Sequence, residues 1–187
     1  MHRIDRLVPV GLRALPRQRQ AARHLALLAA LTAASAPLLA MLYHVLGFGR
    51  AGTVVLAGAA VMVAAPFTLK AGLGLAPARN LFVTALFALK VWLALHLGGI
   101  GAPTVPWFIL CPMIALLLGG RRAGLAWAGI VAATLFALFA AEHGGMVMTA
   151  YPVADPRLLA LASNAGLAVL APVVVMLAAN NDGAGHP

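Results

Sequence analysis

Hydrophobic and polar positions follow one another along this chain in long blocks. Six apolar stretches are separated by short segments rich in glycine, proline and charge. Continuous apolar runs of about 20 residues are typical of membrane-spanning helices. We therefore predict an all-α polytopic membrane protein with a six-transmembrane-helix bundle. The predicted spans are residues 24–46, 53–73, 80–97, 104–118, 123–141 and 157–179.

Composition supports a lipid environment. Apolar residues make up 63% of the chain and charged residues 9%, and the mean hydropathy is +0.98. A soluble domain carries about 25% charged residues. In lipid every backbone polar group needs a partner inside the protein, which helices provide. We expect three parts: a basic cytoplasmic N-terminal segment (1–23), the transmembrane domain (24–179) and a polar cytoplasmic tail (180–187).

The positions of the basic residues predict the orientation. Ten of them fall on one side of the predicted spans, counting the N-terminal arginines, and only Arg50 and Arg157 fall on the other. Basic residues concentrate on the cytoplasmic side of membrane proteins. We expect both termini in the cytoplasm of a bacterium, a location in the inner membrane, and contact of the N-terminus with anionic headgroups. The same pattern argues against nucleic acid as a partner, because the basic segment lacks aromatic platforms.

The fourth predicted span is short and contains two prolines, Pro106 and Pro112. At about 1.5 Å per residue, residues 104–118 cover only about two-thirds of a 30 Å hydrocarbon core. A glycine-rich segment, residues 98–103, precedes this span and cannot sustain a helix. We expect a kinked fourth helix, with part of this segment dipping into the protein at membrane depth.

The residues required by common catalytic sites are missing. Both serines, Ser35 and Ser163, lie inside predicted spans without a histidine nearby in sequence, and Cys111 is the single cysteine. A serine hydrolase needs a base beside its nucleophile, and a thiol oxidoreductase needs paired cysteines. We therefore predict neither enzymatic activity nor a cofactor for this chain.

Lys90 is the residue that most strongly suggests a ligand site. It lies well inside the third span, where a charge costs at least about 2.5–3.5 kcal/mol, so it should face protein or water. Ser163 and Asn164 lie at nearly equal depth in the sixth span, and Pro106 frees backbone groups nearby. These residues predict a polar pocket. The alternative is a lysine that extends outward to the headgroups.

The kinked fourth span carries Trp107 and Cys111, which predict an apolar wall for a ligand with one polar group. The alternative is that Trp107 belongs to the interfacial aromatic belt. His96 and Glu142 fall at the outer ends of their spans and are predicted to form the mouth of the pocket.

Three histidines, His44, His96 and His143, lie at the outer ends of predicted spans. Together they suggest a zinc or copper site, or axial ligands for a haem. No spacing within one helix enforces that geometry, and histidine also occurs at headgroup depth for interfacial reasons. We therefore predict no metal site.

One motif of the chain comprises the stretch from Gly98 to Pro103, then Pro106-Trp107-Phe108, Pro112, residues 119–124 and Trp127. In this motif the chain resembles the six-span input module of some bacterial sensor histidine kinases and membrane-bound class III adenylyl cyclases. Receptors for α-hydroxyketone quorum-sensing autoinducers are similar. The resemblance implies a homodimeric membrane sensor that detects a small lipophilic ligand or the membrane state. It also implies a cytoplasmic kinase or cyclase domain, which these 187 residues do not contain. A small transporter or permease-like protein is the alternative.

Overall fold

The computed structural model describes residues 16–146 and 151–182, and all regular structure within these ranges is helical. Five long helices follow one another along the chain, and two short 3-10 helices, Gly99–Gly101 and Val105–Ile109, join the third to the fourth. The long helices are α1 (Pro16–Val45), α2 (Gly49–Lys70), α3 (Leu75–His96), α4 (Leu110–His143) and α5 (Pro156–Asp182).

Each of the five long helices is long and apolar enough to cross a membrane. The all-α class and the membrane character predicted from the sequence are thus supported, but the predicted count of six separate helices is not reproduced. The difference lies in α4, which includes residues 110–118 of the fourth predicted span and the whole of the fifth.

Helix α4 is broken at Gly120, which has φ 75° and ψ −174°. A β-carbon at Gly124 would lie 2.9 Å from Cβ of Leu116, whereas positions eight residues apart on a straight helix are about 12 Å apart. The chain therefore folds back at Gly120. The two parts of α4, residues 110–119 and 121–143, are called its first and second arms below.

The first three long helices form two successive antiparallel hairpins with tight turns. The α1–α2 pair packs closely, because a β-carbon at Gly52 would lie only 2.7 Å from the carbonyl oxygen of Ala40. Helix α3 is the most covered, with 44% of the residues in its most apolar stretch buried, whereas the value is 17% both for α5 and for the segment that includes α4. Helix α5 is therefore a peripheral element of the bundle.

Several helices extend beyond the predicted spans. Helix α1 begins at Pro16, inside the predicted N-terminal segment (1–23), and α5 continues to Asp182, into the predicted tail (180–187). Helix α3 begins at Leu75, before the predicted start at residue 80. Hydropathy marks where lipid begins and ends, but a helix satisfies its backbone equally well in the headgroup region. Residues 1–15 and 183–187 lie outside the described ranges.

The break in α4 makes a test possible. The Gly120 conformation is one that only glycine adopts readily, and other residues lose about 1–3 kcal/mol there. No atom lies within 4 Å of a β-carbon at Gly120 or at Gly129, an exposed glycine of the second arm. We expect Gly120→Ala to lower the free energy of unfolding by about 1–3 kcal/mol. Gly129→Ala should be neutral or stabilising by up to about 1 kcal/mol.

Reversible unfolding of the purified protein in mixed micelles with increasing SDS measures both variants. Equal stability of Gly120→Ala and the wild type would show that α4 is not folded back at this residue.

Candidate functional site

Lys90 lies inside the bundle, with a side chain that is only 6% exposed. Its Nζ atom is 4.1 Å from the centroid of the Trp107 ring, a cation–π contact. The residue lies six positions before the end of α3 at His96, or about 9 Å below that end. The lysine therefore turns toward the segment before α4 rather than along α3 to the surface.

Trp107 links this lysine to the last helix. Its Nε1–H group donates to both oxygens of Ser163, at 2.8 Å to Oγ and 3.0 Å to the carbonyl oxygen. The Ser163 hydroxyl in turn donates to the carbonyl oxygen of Pro103 at 2.6 Å. Lys90, Trp107 and Ser163 thus join α3, the 3-10 segment and α5, and this set is called the Lys90–Trp107–Ser163 junction below.

Gly166 makes the close approach of α5 to Trp107 possible. A β-carbon at this position would lie 2.9 Å from Cζ2 of Trp107. Gly166 follows Ser163 by three residues, so the two share one face of α5. Gly166 was not predicted to belong to the site; its spacing from Ser163 is the one signal in the sequence that could have indicated it.

The broken backbone around Trp107 is satisfied by side chains from distant parts of the chain. The Ile100 N–H group, in the first 3-10 helix, donates to Oε1 of Glu142 at 2.6 Å. The Pro103 carbonyl oxygen accepts from Ser163. Such pairing is needed because non-helical backbone at membrane depth has no water to bind. The rise of about 2.0 Å per residue in a 3-10 helix also makes this segment longer than an α-helix of the same number of residues.

Thr104 is a buried polar residue that the sequence analysis missed. Its side chain is 3% exposed, and its Oγ1 atom has no hydrogen-bond partner. Thr104 lies three residues before Trp107, and the Trp107 N–H group donates to its carbonyl oxygen at 3.2 Å. An unpaired buried hydroxyl is costly, so this group is available to any ligand that reaches it.

The other residues predicted to line the pocket are placed differently. Cys111 is fully buried one helical turn after Trp107, in the first arm of α4. Pro106 and Asn164 are exposed and lie outside the junction. Consecutive residues of a helix point about 100° apart, so Ser163 and Asn164 cannot both face Trp107. The predicted convergence of Asn164 with Lys90 is therefore not observed.

The residues predicted to form the mouth make contacts of their own. His96 is exposed and stacks on Trp92 with ring centroids 4.0 Å apart, and its Nδ1 lies 2.8 Å from the Trp92 carbonyl oxygen. Glu142 accepts from Ile100, as described above. Phe48 lies between the rings of Trp92 and Tyr151, at 5.9 and 4.1 Å. Aromatic stacking thus closes the end of the bundle at which α3 ends and α5 begins.

The outer histidines do not form a common site. In the described part of the chain, no three histidine, cysteine or acidic side chains are grouped closely enough to hold a metal ion. His143 instead stacks on Phe139, with ring centroids 5.4 Å apart. His44 lies beside the start of α2, since a β-carbon at Gly49 would be 3.0 Å from its Nδ1.

An open groove of about 360 Å³ lies between α1 and α2. Pro37 and Leu56 line one end of the groove, and His44 and Gly49 line the other. The groove contains none of the residues of the Lys90–Trp107–Ser163 junction, which is a filled contact between helices. A ligand at the junction therefore has to displace contacts that exist in this structure.

Comparison with protein-family models, with curated proteins and with solved structures gives no match to this chain.

The role of Trp107 in holding α5 can be tested with a matched pair of variants. Trp107→Phe removes the donor to Ser163, and a hydrogen bond of this kind contributes about 0.5–1.5 kcal/mol. Trp127 of the second arm contacts Phe87 edge-on at 5.7 Å and is half-buried. We expect Trp107→Phe to speed amide hydrogen exchange in residues 159–167 of α5, and Trp127→Phe to leave it unchanged. Equal exchange in both variants would contradict this role for Trp107.

Proposed function

We propose that this chain is the input domain of a membrane receptor and that the Lys90–Trp107–Ser163 junction is its ligand site. The observation that carries the proposal is the contact of one indole with both a buried lysine and the last helix. A small lipophilic ligand, or a change in the membrane, that alters the Lys90–Trp107 contact would also alter how α5 is held. The resemblance to the input modules of sensor kinases and cyclases supports the same function.

Helix α5 suits the role of transmitting element. It has little of its surface buried, and its hydrogen bonds to the rest of the bundle include those at Ser163. A helix with few competing contacts can shift when one of them changes. We propose that ligand binding selects a second position of α5, which passes the change to a cytoplasmic output domain.

We also propose that the chain crosses the membrane six times, with both termini in the cytoplasm of the bacterial inner membrane. The 3-10 helix Val105–Ile109 with the first arm of α4 supplies the fourth crossing and the second arm supplies the fifth, because the chain reverses at Gly120. The basic residues Lys70, Arg79, Arg121 and Arg122 then share the cytoplasmic side. The Arg79 guanidinium occupies the space that a Gly119 side chain would need, which brings two of these turns together.

Single cysteines introduced into a Cys111→Ala protein test this orientation. Arg50 and Met146 are exposed on the proposed outer side, and Leu73 and Arg121 on the inner side. We expect a membrane-impermeant maleimide added to intact cells to label Arg50→Cys and Met146→Cys only. Labelling of the inner pair should require permeabilised cells. If all four label equally in intact cells, the six-crossing topology is wrong.

A homodimer is part of this proposal, because the modules that the chain resembles act on dimeric output domains. Of the small residues on the second arm, Gly124 packs against Leu116 of the same chain, whereas Ala128 and Ala132 are exposed. Small exposed residues permit close packing of helices in a membrane. They leave room for contact with a second copy along this arm.

A fusion protein tests the receptor function directly. We expect a class III cyclase domain, joined in helical register after α5, to change its cyclic AMP output when C6–C14 hydroxyketones, alcohols or carboxylates are added. Lys90→Met should abolish the response at equal expression, and Lys70→Met, at the exposed end of α2, should retain it. A receptor should not move the active compound, so uptake into proteoliposomes above empty vesicles would favour the transporter alternative.

A further inference from the structure

The geometry points to an anionic amphiphile as the ligand of the Lys90–Trp107–Ser163 junction. We infer that its polar end is a carboxylate, that Lys90 supplies the opposite charge and that Thr104 supplies a further hydrogen bond. This inference rests on the proposed function, because it assumes that the junction is the ligand site. It goes further by naming the chemical class of the ligand.

Lys90 has no acidic partner among the residues that the structure describes. The chain contains four acidic residues, of which Asp5 lies outside the described ranges. Glu142 accepts from Ile100, and Oδ1 of Asp155 accepts from the N–H groups of Arg157 and Leu158 at the start of α5. Asp182 is the last residue of α5, at the opposite end of that helix from Asp155. The buried lysine therefore depends on the face of Trp107.

A cation–π contact compensates only in part for burying a charge in a membrane. Such contacts contribute roughly 0.5–2 kcal/mol, while placing a lysine at membrane depth costs at least about 2.5 kcal/mol. A carboxylate placed next to Nζ compensates more effectively, because it combines charge attraction with a charge-assisted hydrogen bond. A neutral carbonyl or hydroxyl ligand provides the hydrogen bond but no charge.

Each spare hydrogen-bonding group at the junction can donate. Trp107 Nε1 and the Ser163 hydroxyl already donate to partners within the protein. Nζ of Lys90 has three N–H groups and no lone pair to accept with, and the Thr104 hydroxyl is unpaired. Lys90 contacts the ring of Trp107, and Thr104 is one 3-10 turn before it. An ionised carboxylate only accepts hydrogen bonds, which matches this set.

The depth of the junction within the bundle determines the chemical character of the rest of the ligand. Lys90 lies about 9 Å from the outer end of α3, and Ser163 lies seven residues, or about 10 Å, from the start of α5. A carboxylate at that depth is surrounded by hydrocarbon. It can arrive there only as part of a molecule whose remaining surface is apolar, as in a medium-chain fatty acid.

Fluorescence quenching of Trp107 tests the inference. In the full chain carrying Trp92→Phe and Trp127→Phe, Trp107 is the only tryptophan. The protein is placed in nanodiscs of zwitterionic lipid and titrated with 2-bromodecanoate, whose bromine lies beside the carboxylate, or with 2-bromodecan-1-ol. We expect saturable quenching with an apparent affinity at least tenfold higher for the carboxylate. Lys90→Met should abolish that difference, and Lys70→Met, the matched control at the chain's other lysine, should preserve it.

The outcomes separate the inference from the proposed function. Equal, saturable quenching by both compounds would overturn the carboxylate but leave the ligand site at Trp107 intact. If quenching of Trp107 never exceeds the quenching of a free tryptophan ester in the same discs, Trp107 is not part of a ligand site. That result would overturn the proposed function as well as the inference. Loss of the carboxylate's effect in discs containing phosphatidylglycerol would assign the site to a phospholipid headgroup, and would also overturn the inference.

Discussion

Backbone that leaves the helical conformation inside a membrane has to find its hydrogen-bond partners within the protein, and residues 98–109 are subject to this constraint. The chain meets it with side chains that arrive from far along the sequence. Glu142 reaches back to Ile100, and Ser163 binds both Pro103 and Trp107. These contacts require α4 to fold back and α5 to lie against the 3-10 segment, so the packing of one half of the bundle depends on one broken stretch of chain.

The same stretch explains why a lysine is tolerated within the bundle. Because residues 105–109 form a 3-10 helix, Trp107 is held with its ring under Lys90 and its N–H group toward Ser163. Most buried lysines in proteins are paired with an acid. Here the face of the Trp107 ring takes the place of the acid, and nearby Thr104 has an unpaired hydroxyl. A site that holds spare donors is less stable than a fully paired one, but it can respond to a ligand.

Much of the site could be inferred from the sequence by comparing depths within the predicted spans. Lys90 and Ser163 are nearly equally far from the same surface, which is why both were expected near the bend at Trp107, and the structure brings these three together. Depth does not give the direction of a side chain around the helix axis. That is why Asn164, one position after Ser163, was expected in the pocket but is exposed. Thr104 and Gly166 have neither a charge nor an aromatic ring, so nothing in the sequence indicated that they belong to the site.

By itself, the sequence determined the class of this protein, because hydropathy follows from composition and any chain with such long apolar runs must satisfy its backbone in helices. It also located the break before α4, since glycine and proline act locally. Only the tertiary structure decided that Trp107 joins α3 to α5, and that Glu142 pairs with Ile100. The reason is that the rotation of each helix and the partner of each polar group depend on residues that are distant in the chain and close only after packing.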